Sequence, residues 1–238
     1  MVKPHRWNRI EAKDFQMRSS NKPRTQAVIF VTGVLALILL SACAGVPNPA
    51  PAVSTVTTST GGSPSDVVVY ASDLPAEALS ELDFIDDSAS PNGKLIGLPN
   101  NGDELDPPPE NDPHATFNVQ VQSGVPYRCW IHMKVGAPKG RSTANVVWVQ
   151  FSDSVDQTNQ EVFRSGTNSY LTAQGPQQLG WTWVGCDASG SDPLVYFPAR
   201  GEVTVRIQAG AEGVGFDQFI LSPAKFLNTP PSEPIVAK

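Results

Sequence analysis

The chain has 238 residues, 40% hydrophobic and 17% charged, with 22 Pro, 19 Gly and 3 Cys. Up to residue 42, seven Lys/Arg stand against two acids; beyond it, ten Lys/Arg face twenty-one Asp/Glu, a net charge of −11. So acidic a surface repels phosphate backbones and excludes nucleic acid as a partner, while the β-branched and aromatic content excludes wholesale disorder.

Residues 27–40, AVIFVTGVLALILL, form a charge-free run preceded by Lys22 and Arg24. Its 14 residues fall short of the roughly 20 that span a bilayer, but they suit the apolar core of a signal peptide. Leu40-Ser41-Ala42-Cys43 follows directly and resembles the lipobox of bacterial lipoproteins. By that resemblance residues 1–42 are a signal peptide, and Cys43 carries a diacylglycerol and a further acyl chain. Several chains, at about 0.8 kcal/mol per buried methylene, make a lasting membrane anchor. The alternative is an ordinary signal peptide cut after Ala42 or Ala44. Met17 opens a more ordinary leader, MRSSNKPRTQ, so the expected start lies there. The chain is therefore expected to be exported and anchored in the envelope or at the surface of a bacterial cell, where thiols oxidise.

Residues 46–65, VPNPAPAVSTVTTSTGGSPS, carry no charge and few groups that bury, so 43–65 reads as a tether. The end of the chain, NTPPSEPIVAK (228–238), reads as a flexible tail for the same reason. One domain of sizeable core is expected over residues 66–227.

Within it, short β-branched and aromatic runs alternate with Gly, Pro, Asn and Asp. Strands are predicted at DVVVY (66–70), ATFNVQV (115–121), PYRCWIHMKV (126–135), NVVWVQF (145–151), EVFR (161–164), EVTVRIQA (202–209) and GFDQFILS (215–222). PAEALSEL (75–82) is the one helical stretch, and 91–113 is a long loop. The pattern predicts an all-β fold, an antiparallel sandwich. Alternation then assigns faces. Cys129, Ile131, Met133 and Val135 share one side of their strand, with Arg128, Trp130, His132 and Lys134 on the other. Val147, Val149 and Phe151 oppose Trp148 and Gln150; Val203, Val205 and Ile207 oppose Thr204, Arg206 and Gln208.

From Tyr127 to Pro223 the order PYRCWIHMKV, VVWVQFSDS, GWTWVG, EVTVRIQ and GVGFDQFILSP resembles galactose-binding-like jelly-roll domains, relatives of carbohydrate-binding module families 6 and 35. DVVVYASDLP and SASPNGKLIG extend the resemblance to about residues 66–227. It implies a non-catalytic jelly-roll sandwich that binds glycan through aromatic residues at loop ends or on one sheet's concave face. It also implies a structural calcium ion. Asp217 matches the last-strand acid of that pattern, with Asp73, Asp86 or Asp87 as further oxygen donors of the kind calcium takes. Tyr70, Ala71 and Ser72 stand where the families carry paired acids, which puts the ion in doubt; the alternative is that Asp217 faces solvent or caps a turn.

After Cys43 the histidines are His114 and His132, and no nucleophile motif, phosphate loop or His/Cys metal spacing occurs. No catalytic role is expected. Two aromatic groups suit the apolar faces of sugar rings. The first is Trp181 and Trp183, on one side of a strand between glycines and followed by Asp187, with Arg164 and Tyr170 as polar companions; the alternative is that the indoles plug the core. The second assumes that 136–144 closes a hairpin, setting His132 opposite Trp148 and Trp130 opposite Gln150, with Arg206 on a neighbouring strand. Its alternative is a face hidden beneath the 91–113 loop. Cys129 and Cys186 are the remaining cysteines and are candidates for a disulfide, or Cys129 is a plain core thiol. Two functions follow: a lipid-anchored glycan-binding module, or a structural or adhesive envelope protein with protein partners.

Overall fold

The computed structural model describes residues 64–236. The expected signal peptide, Cys43 and the tether up to residue 63 lie outside the described residues. Among those described, the strands in chain order are β1 (Val67–Tyr70), β2 (Leu79–Ser80), β3 (Asp83–Asp86), β4 (Lys94–Gly97), β5 (His114–Val121), β6 (Arg128–Val135), β7 (Val146–Phe151), β8 (Leu171–Gln174), β9 (Gly180–Gly185), β10 (Gly201–Ala209) and β11 (Gly215–Ser222). They form two antiparallel sheets. The first runs β3-β4-β11-β6-β9, with β1 also pairing β11; the second runs β2-β5-β10-β7-β8. The chain crosses repeatedly between the layers, which gives the expected jelly-roll sandwich.

The predicted inward residues fill the space between the sheets. Cys129, Ile131, Met133 and Val135 from β6 meet Val147, Val149 and Phe151 from β7 and Val203, Val205 and Ile207 from β10, all buried. Phe117 of β5 packs edge-on against Phe219 of β11 at 5.7 Å, and Phe151 and Tyr127 pack edge-on against Phe197. Each such pair adds about 0.5–1.5 kcal/mol beyond the area it buries.

Four expectations fail. PAEALSEL forms a single 3-10 turn, Ala76–Ala78, and then pairs Leu79 with Ala115. Eight residues are too few to offset the cost of nucleating a helix, and the open edge of β5 captures the segment. EVFR makes only isolated bridges, because Phe163 adopts a left-handed φ of 53° that breaks the extended run. The 91–113 loop begins only at residue 98, since β3 and β4 form an unpredicted hairpin. Finally, β6 and β7 are not hairpin partners but lie in different sheets. A hairpin would set their apolar faces side by side; in the sandwich the two faces press on each other across the layers.

Cys129 and Cys186 are brought together. The β6–β9 register pairs Trp130 with Gly185, which puts Cys186 across from Cys129, with their Sγ atoms 2.6 Å apart and both residues fully buried. Burial pushes the Cys129 thiol well above its ordinary pKa, so the reduced form stays protonated and unreactive in the folded core. Protein purified from an oxidising compartment should be two hydrogens lighter than its reduced form by intact mass. Reduction should lower stability by roughly 3–4 kcal/mol in denaturant melts, the scale for closing a loop of this length. Two titratable thiols in the unfolded, unreduced protein would contradict the pairing.

Candidate binding cleft

Position parity builds the outer face of the first sheet. β6 turns Trp130, His132 and Lys134 outward, and the β6–β9 register sets Trp183 opposite His132 and Trp181 opposite Lys134. Paired residues on antiparallel strands point the same way, so indoles and imidazole share one face. On the other side of β6, β11 places Gln218 opposite His132 and Ile220 opposite Trp130. The register slips between Phe216 and Gln218, and the extra residue in that bulge is Asp217. A bulge re-aims a side chain. Here it brings Asp217 Oδ1 to 2.6 Å from His132 Nδ1, with both side chains almost wholly buried.

A carboxylate only accepts, so Nδ1 is the donor and the ring orientation is fixed. The imidazole lies parallel to Trp181, 4.8 Å between centroids and 10° between planes, and tilted against Trp183 at 4.9 Å. Both indoles remain half-buried. Lys134 continues the face and donates to Asp87, whose carboxyl that bond holds below its usual pKa.

A cleft of about 490 Å³ opens on this face, walled by His132, Trp181 and Trp183, with Ala89 and residues 230–234 of the tail. The expected flexible tail thus lies against the sheet as far as it is described. Trp130 Nε1 donates to Phe226 O at 2.6 Å and Trp183 Nε1 to Glu233 O at 3.2 Å. Gln218 grips Ile235 twice, Nε2 donating to its carbonyl at 3.0 Å and Oε1 accepting from its amide at 2.9 Å. Buried indole and amide groups need partners, and the tail's backbone supplies them. Trp181 Nε1 is the exception, buried with no hydrogen-bond partner.

The other candidates sit elsewhere. Asp187 belongs to Arg128: the buried guanidinium reaches Asp187 at 3.1 Å and Asp192 at 2.5 Å and stacks over Trp130. Gly185 permits that stacking, since a Cβ there would collide with Arg128 Nη2. Burial raises the Asp187 pKa, whereas hydrogen bonds from Asp187 and Arg128 lower that of Asp192. Arg164 is a loop brace, donating to the carbonyls of Ser152 and Ser154. Tyr170 packs edge-on against Trp148 at 5.9 Å. Neither joins the tryptophan pair of β9.

The second candidate face is divided between the two sides of the sandwich. Trp130 and His132 lie on the first sheet's outer face; Trp148, Gln150 and Arg206 lie on the second's, where Arg206 does pair with Gln150 as neighbouring strands should. That second face is covered. Gln150 Nε2 donates to the carbonyls of Arg164, Thr167 and Ser169, and the loop before β5 lies over β10, with Gln208 donating to Asp106 O and Arg206 to Glu110 O.

The residues around Asp217 do not fit a calcium ion. Its Oδ1 is committed to His132, Oδ2 has no hydrogen-bond partner, and among the described residues no three His, Cys, Asp or Glu gather as ligands. Asp87 is held by Lys134, while Asp73 accepts from its neighbour Ser72.

No family profile matches the chain, and no curated protein matches it. Several solved structures do. A Podospora anserina GH26-CBM35 β-(1,4)-mannanase matches at 14% identity and TM-score 0.42, over 72% of this chain and 29% of that one. The C-terminal CBM6 of a marine laminarinase from Zobellia galactanivorans matches at 10% identity and TM-score 0.39, over 66% of this chain and 98% of the module. A family 35 carbohydrate-binding module from Clostridium thermocellum matches at 15% identity and TM-score 0.31, over 65% and 97%. Carbohydrate-binding modules of families 6 and 35 are thus among the structures this chain resembles, and the chain spans under a third of the mannanase. At these identities and TM-scores the likeness assigns neither ligand nor activity.

Gln150 is a staple of the loop, not a ligand group. Gln150→Leu should cost about 1–3 kcal/mol in denaturant melts, the scale for buried carbonyls left without a donor. An unchanged midpoint would contradict that role.

Proposed function

We propose that residues 66–227 are a non-catalytic carbohydrate-binding domain and that Cys43 anchors it by lipid to the bacterial envelope. One observation carries the sugar reading: the cleft is walled by two half-buried indoles held rigid by a buried His132–Asp217 pair. Sugar rings offer apolar C–H faces to such stacking, and the rigid wall reduces the entropic cost of binding. Among the described residues that wall the cleft, Glu233 is the one carboxylate, whereas hydrolysis by paired acids would require two. The −11 charge beyond residue 42 favours a neutral or cationic glycan.

Removing either indole should weaken glycan binding by about 1.5–3 kcal/mol, the scale for withdrawing a large apolar side chain from water. That is roughly tenfold to more than a hundredfold. A glycan array followed by titration of Trp181→Ala and Trp183→Ala checks it, with Trp148→Ala as the control that keeps binding. If no glycan binds the natural chain, the reading fails. Anchoring is tested apart: Cys43→Ser should move the protein from the membrane fraction to the soluble one, and retention in the membrane would contradict the lipid.

A further inference from the structure

The tail on the first sheet's outer face makes contacts of a particular kind. Trp183 and Gln218 both bond to its main chain, at the carbonyls of Glu233 and Ile235 and the Ile235 amide, while Trp130 holds the Phe226 carbonyl just ahead of it. Groups that bond only to backbone read a chain path, not one particular side chain. Within the segment Pro231 is buried and Pro234 and Ile235 half-buried, while Ser232 and Glu233 face solvent. Two prolines three residues apart line the cleft together with Trp181 and Trp183, and an indole N–H bonds a carbonyl between them, the logic by which aromatic grooves take proline-rich segments. Proline fixes its own φ and holds the preceding residue extended, so Thr229, Pro230 and Glu233 lose little freedom on docking.

We infer that this face is a docking groove for a proline-rich segment, Pro-x-x-Pro followed by an apolar residue. Pro230–Ile235 of the same chain fills it in cis, and a partner segment of that chemistry takes it when the cis copy lifts off. The segment adds no strand to the sheet, so displacing it leaves every strand pairing intact. This goes beyond the glycan reading and does not rest on it; the segment forms one wall of the cleft, so its exchange also changes the cleft's width.

The test uses a fluorescently labelled peptide of residues 228–238 and three full-length proteins: the natural chain, the chain carrying Pro231→Ser and Pro234→Ser, and the chain stopped after Asn228. The tethered copy competes at about millimolar effective concentration. Anisotropy titration should therefore show saturable binding to the two altered chains at least tenfold tighter than to the natural one. A peptide with the same two prolines replaced by serine should bind at least tenfold more weakly. That comparison alters only the ligand and so holds even if the shortened chain folds poorly. The doubly substituted chain should also show tryptophan emission shifted to the red. Absence of binding to the doubly substituted chain, equal binding of the substituted peptide, or equal binding by the natural chain overturns the inference. No sugar enters the readout, so its failure leaves the glycan reading standing.

Discussion

The buried contact between His132 and Asp217 organises the outer face of the first sheet. It exists because β11 slips its register by one residue at Asp217, turning a carboxylate toward the imidazole of the neighbouring strand. A buried polar pair is costly unless each partner answers the other, and removing one side leaves an uncompensated group. Once the imidazole is fixed, both indoles of β9 have a flat surface to lie against, at 4.8 and 4.9 Å. The cleft, its aromatic wall and the seat of the tail all follow from that arrangement.

The two outer faces of the sandwich meet the same demand differently. Alternation forces every second residue of β6, β7 and β10 outward, and several of those residues are too large or too polar to be left in isolation. On the second sheet, long loops close over Trp148, Gln150 and Arg206, and the donors of Gln150 and Arg206 end on loop carbonyls or a neighbouring side chain. Among the described residues, the C-terminal segment covers part of the first sheet's face. Space therefore remains beside Trp181 and Trp183 and nowhere beside Gln150.

Much of the fold was legible because alternation is a local signal. Alternation alone places the inward residues of β6, β7 and β10 and the shared face of Trp181 and Trp183. Pairing is not local. Adjacent strands suggested a hairpin between β6 and β7, but no residue in 136–144 announces that the chain changes sheets there. Arg164, Tyr170 and Asp187 look like companions of the indoles by sequence distance alone; instead Arg164 braces a loop, Tyr170 packs on Trp148 and Asp187 pairs with Arg128. The His132–Asp217 contact spans 85 residues and depends on a bulge that composition does not mark. The seat of the tail is illegible in the sequence for a related reason. Proline and polar content describe a segment that cannot fold alone, yet they say nothing of whether another surface will hold it.

The central claim is that ligands meet this protein at the outer face of the first sheet, beside His132. Indole N–H resonances in a ¹H–¹⁵N spectrum report on each tryptophan separately, so titration with the tightest glycan from an array tests the claim directly. The account predicts that the Trp181 and Trp183 signals move with saturable, shared dependence on ligand while Trp148 stays fixed. Shifts confined to Trp148, or a spectrum in which neither β9 indole responds, would contradict it.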